Sequence, residues 1–89
     1  MASKISYKNS VLGDLKKLDK SEARRIVERL ESELENNPDA GEQLKGRFAG
    51  LRRLRVGDYR VVYSRTKDGV LVLLIAHRRH VHEKLGRSG

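Results

Sequence analysis

Three arginines fall on one side of an alternating stretch of chain. Within Leu51–Val56, Arg53 and Arg55 point away from Leu54 and Val56, and in the following run Arg60 shares a face with Val62. Guanidiniums fixed at that spacing grip phosphate bidentately and repeatedly. They also neutralise the negative charge that develops at a phosphorus under attack. Lysine would keep a strand edge soluble just as well, so the preference for arginine points to planar anion recognition. A second group, His77, Arg78, Arg79, His80 and His82, follows the last apolar run. A histidine titrating near neutrality can protonate a leaving oxygen. RNA carries its own nucleophile, the 2′-hydroxyl, so these residue types suffice for metal-independent transesterification. No cofactor is expected. Nor is a metal: the histidines have arginines between them and no evident carboxylate partner, which makes them poor zinc ligands.

The elements that position these residues must come from a short chain. The 89 residues are enough for a single domain spanning 1–89, with Lys84–Gly89 expected to fray. A net charge of +8 and a pI of about 10.2 suit an anionic partner, above all a nucleic acid. The charge is concentrated in Lys45–Arg60 and His77–Arg87, whereas the helical region before them mixes acids with bases. Lys45, Arg47, Arg52, Arg55 and Arg79 are therefore candidate RNA contacts. Aromatic interleaving is thin, with Tyr59 and Tyr63 alone nearby, so base stacking gains little support. There is no cysteine, hence no disulfide or thiolate site. No signal-peptide h-region is evident, and Val70–Ala76 is too short to span a membrane, so a cytoplasmic location is expected.

Lys4–Tyr7 reads as a short strand. Asn9 or Ser10 can cap a helix whose apolar stripe is Val11, Leu12, Leu15 and Leu18. Asp19 and Glu22 form a capping pattern for a second helix, carried by Ala23, Ile26, Val27, Leu30 and Leu34 and stopped by Asn36-Asn37-Pro38. The period then changes to two. Phe48–Val56, Tyr59–Arg65 and Val70–His77 read as strands, joined at Gly57-Asp58 and at Lys67-Asp68-Gly69. Val70–Ala76 is apolar on both faces, which predicts a central strand covered on both sides. The expected order is β-α-α-β-β-β. That is an α+β layer fold with a helical hairpin on one face of a curved antiparallel sheet and the basic residues on the other.

Leu44-Lys45-Gly46, the block Leu51-Arg52-Arg53-Leu54-Arg55-Val56-Gly57-Asp58-Tyr59-Arg60-Val61-Val62-Tyr63, and Ile75-Ala76-His77-Arg78-Arg79 together resemble the RelE/ParE superfamily of type II toxins. The resemblance implies one of two activities. RelE-like members, the branch favoured here, cleave messenger RNA in the ribosomal A site; ParE-like members poison DNA gyrase. It also implies a cognate antitoxin, held in a toxin–antitoxin hetero-oligomer. By position, Arg53 matches a basic catalytic residue, Arg60 the arginine of a Tyr-Arg pair, and Arg78 the arginine after the last strand. The family's C-terminal tyrosine corresponds to His82. In YoeB-like members a histidine stands where His80 does and a glutamate where Glu42 does, giving an alternative acid and base. Arginine is a poor general base, and Leu51 stands where the best-known member has a lysine, so proton transfer falls to other groups.

Overall fold

In a computed structural model, which describes residues 3–80, the chain forms β1 (Lys4–Tyr7), α1 (Asn9–Lys17), α2 (Lys20–Leu34), β2 (Glu42–Gln43), β3 (Leu51–Val56), β4 (Tyr59–Arg65) and β5 (Gly69–His77). The α+β class and the helical hairpin agree with the sequence reading. The sheet is mixed, however, where an antiparallel one was expected. Its order is β1-β5-β4-β3-β2, and β1 runs parallel to β5. The hairpin carries the chain from β1 across the sheet face, so β1 ends on the far side of β5. The two-residue strand β2 extends the opposite edge, with Glu42 opposite Arg53.

The helices bury Val11, Ile26, Leu30 and Leu34 against Leu54, Val56, Val61, Tyr63, Val70, Val72 and Ile75. Burying each large aliphatic side chain here contributes about 2 kcal/mol. Leu12, expected in the apolar stripe, is exposed. Neither Asn9, Ser10 nor Asp19 caps a helix through its side chain: Lys8 holds the N-cap position of α1, and Asp19 that of α2 without a side-chain bond. Packing, rather than capping, holds the hairpin.

Two further departures concern the strands. Phe48 lies in a single 3-10 turn, Gly46–Phe48, and β3 begins only at Leu51. Gly50 has a φ of 94°, which ends any extended run before Leu51. Strand β5 carries a bulge: Val62 pairs with Leu74 but Tyr63 pairs with Val72, which skips Leu73. Side-chain parity therefore reverses along β5. Val70, Val72 and Ile75 all reach the helices, while Leu74 sits with Ala76 and Val62 on the opposite face, beneath Leu44, Phe48 and Leu51. That second cluster explains why β5 is apolar on both sides. As expected, β5 is an interior strand, paired with β1 on one side and β4 on the other.

Tyr7 is half-buried, and its Oη meets no hydrogen-bond partner among the described residues. Burial, with Glu31 nearby, pushes the phenol up to about 12. Tyr7→Phe removes an unsatisfied polar atom and keeps the ring. It is expected to raise unfolding free energy by up to about 1 kcal/mol in urea titrations; a loss of stability would contradict this view of the hydroxyl.

Candidate nucleic-acid interface

Strand alternation and pairing build the arginine face. Arg55 lies directly across from Arg60, and Arg53 lies across from Val62 two residues along the same face. Arg60 is next to Ala76 on β5. The turn after β5 is tied to the β3–β4 turn, because the Arg78 amide donates to the Asp58 carbonyl at 2.8 Å. The Arg60 guanidinium is held below its ordinary pKa, first by burial and then by the like charges of Arg55, Arg53 and Arg78, with Asp58 opposing. Three like charges thus bear on Arg60. An anion placed among them relieves that repulsion. Arg53 alone of these has a carboxylate partner among the ion pairs of the described residues: its Nη2 donates to Glu42 Oε2 at 3.0 Å.

Beside this face lies the Leu44, Phe48 and Leu51 cover. Lys45 is exposed at its start, and the Arg47 guanidinium sits 4.9 Å from the Phe48 ring centroid. Arg79 is exposed in the turn after β5, its amide donating to His77 Nδ1 at 3.3 Å.

Other candidates are placed elsewhere. Arg52 shares the helix-side face with Leu54. Its Nη1 donates to the carbonyls of Asp39 at 3.1 Å and Gly41 at 2.9 Å, and its Nε lies 3.5 Å from the Asp39 carboxylate. The alternation that separated Arg53 from Leu54 already put Arg52 on this side. The His77 ring packs edge-on against Tyr59, with centroids 5.6 Å apart, and so belongs to the helix side. The His80 ring is 6.3 Å from that of His77. Both line a cavity of about 270 Å³ together with Asp14, Lys17, Leu18 and Tyr59. His80 thus lies beside α1 in the turn that carries Arg78. His82 lies outside the described residues.

Three features of the site escaped sequence reasoning. Glu42 was weighed only through the family alignment, because two residues are too few to show a period. The apolar cover on the open face has no signal in the sequence pattern, because Leu44 and Phe48 lie outside the regular strands. The contacts of Tyr63 had no signal beyond its aromatic type.

Residues 5–82 match the family model for the ParE toxin of the type II toxin–antitoxin system parDE. Among solved structures, the toxin–antitoxin complex RelBE2 from Mycobacterium tuberculosis contains a similar chain. It is 26% identical with a TM-score of 0.78, and the match covers 88% of this chain and 93% of that one. No curated protein matches. With the fold, the Leu51–Tyr63 block and these matches in agreement, the chain belongs to the ParE toxin family of type II toxin–antitoxin systems, within the RelE/ParE superfamily.

Proposed function

We propose that this toxin cleaves messenger RNA, engaged in the ribosomal A site, at a phosphate gripped by the arginine face. The observation that carries the reading is the placement of Arg53, Arg55 and Arg60 on one sheet face, with Arg78 acting on Arg60 and Glu42 paired to Arg53. Arg60 and Arg78 bind the scissile phosphate, and Arg53 offsets the charge of the transition state. The 2′-oxygen attacks phosphorus as its proton passes to a base, for which Glu42 is the carboxylate on this face. The P–O5′ bond breaks, and a histidine protonates the leaving oxygen. His80 and His82, which follow Arg78 in the chain, are the candidate donors. The products are a 2′,3′-cyclic phosphate and a 5′-hydroxyl. Lys45, Arg47, Arg55 and Arg79 extend the grip on the strand. The antitoxin partner is inferred from the family and from RelBE2, which is a toxin–antitoxin complex.

The test uses a ribosome-bound message with a single 2′-deoxynucleotide at a mapped cut site. Cleavage is expected to vanish at that position, persist at neighbouring sites and leave cyclic-phosphate ends. Undiminished cutting at the deoxy position would refute transesterification. The family model's ParE description supports a second reading, in which the protein inhibits DNA gyrase and has no nuclease activity. Blocked supercoiling with intact RNA would select it.

A further inference from the structure

Between α2 and β2 the chain leaves the helix layer, rounds the edge of the sheet and delivers Glu42 to the arginine face. Strand β2 has only two residues, so its own ladder cannot fix where Glu42 sits. The segment before it, Pro38–Gly41, has no regular structure. It is held instead from the helix-side face by alternate residues of two neighbouring strands. The fully buried Tyr63 donates its hydroxyl to the Pro38 carbonyl at 2.9 Å and accepts the Gly41 amide at 2.8 Å. Arg52, its cross-strand partner, takes the carbonyls of Asp39 and Gly41. Arg65 pairs with the Asp39 carboxylate, which this hydrogen bond holds below the usual carboxylate range. The fit is close. A Cβ on Gly41 would stand 2.7 Å from Tyr63 Oη and 3.0 Å from the Arg53 carbonyl. Gly41 is thus seated on both the clasp and the backbone of the strand that carries Arg53.

We infer that Tyr63 is a positioning residue of the arginine face: through its hydroxyl it clasps Pro38–Gly41 and so sets the Glu42 carboxylate opposite Arg53. The inference rests on reading that face as the RNA site. Tyr63 lies on the other side of the sheet and touches no substrate, so its effect passes through the backbone of Gly41 to the next residue. Both partners of the hydroxyl are backbone groups, and buried bonds of this kind are strong and directional. A displacement of about 1 Å at a reacting group costs up to about 100-fold in rate. Loss of the clasp therefore reaches the chemistry without altering the face itself.

The experiment has two arms. In the first, hydrogen exchange compares the wild-type protein with Tyr63→Phe, which keeps the ring and removes only the hydroxyl. The Gly41 and Leu44 amides are expected to lose protection, the latter because its bond to the Leu51 carbonyl closes the β2–β3 pair. Amides of Val61 and Ile75 should keep theirs. In the second, cleavage of ribosome-bound message is measured for Tyr63→Phe, Glu42→Gln and the double variant. Tyr63→Phe is expected to lower kcat on the order of tenfold with KM unchanged. The double variant should cleave no more slowly than Glu42→Gln alone, because the two act through one group. Gly41→Ala, which pushes the segment off the hydroxyl, should repeat the Tyr63→Phe pattern. Unchanged protection at Gly41 and Leu44 would overturn the clasp. Losses that multiply in the double variant would overturn its action through Glu42. If the wild-type protein leaves RNA intact, the RNA reading and the role in cleavage fail together, and the exchange arm still decides whether the hydroxyl holds the segment.

Discussion

Arg60→Ala is expected to yield a folded toxin whose RNA cleavage falls about 100-fold to 1,000-fold, the range for removing a fixed donor from a developing oxyanion. Arg60 stands at the centre of the cation group. Arg55 is its direct cross-strand partner, and Arg53 and Arg78 act on its charge. The lost guanidinium is not replaced by movement of these neighbours, because Arg53 and Arg55 are fixed on β3 and Arg78 in the turn after β5. Stability should move the other way or not at all. Arg60 carries no carboxylate partner among the ion pairs of the described residues, and its removal relieves like-charge repulsion. A change in unfolding free energy within about 0.5 kcal/mol is expected. Cleavage kinetics and thermal denaturation of the same preparation check both parts. A variant that is folded and as active as the parent would remove Arg60 from the mechanism.

Gly69→Ala is expected to have the largest effect on the fold. Gly69 pairs with Lys4 across the parallel β1–β5 contact. A Cβ there would fall 2.0 Å from the Lys4 carbonyl oxygen and 2.5 Å from its nitrogen. Those are backbone atoms, so no side-chain rotation relieves the overlap and β1 must move. The Lys4 amide bond to the Asp68 carbonyl, at 3.0 Å, and the packing of Ile5 and Tyr7 on the core move with it. The expected loss is about 3 kcal/mol, the scale of a forced backbone shift in a packed core. For a domain of this size that lowers Tm by roughly 15 °C. The arginine face lies away from β1, so cleavage per folded molecule should hold at temperatures where the variant is native. A Tm within a few degrees of the wild-type value would contradict this account of Gly69.

The same glycine shows what could be read without coordinates. The run Lys67-Asp68-Gly69 was legible as a turn, and β4 and β5 are indeed joined there. The reason for glycine was not legible, since it is the passage of a strand 65 positions earlier, and a parallel contact leaves no local pattern. Alternation put Arg53, Arg55 and Arg60 on one face because pleat geometry is local. The bulge at Leu73 was hidden because a strand with apolar residues at every position shows no change of phase. Arg52 was readable as helix-facing from its parity with Leu54, although net basicity suggested an RNA contact. Glu42 and Tyr63 depend on chain that crosses the edge of the sheet, where neither period applies. Composition pointed to an anion and periodicity to a face; the partners of each side chain came only with the fold.

The proposed action of this toxin on messenger RNA depends on its arginine face. Primer extension across a translated message, with and without ribosomes and beside a gyrase supercoiling assay, tests it most directly. Discrete cuts that require ribosomes are expected, lost with Arg60→Ala, with supercoiling unaffected. Intact message together with blocked supercoiling would contradict it.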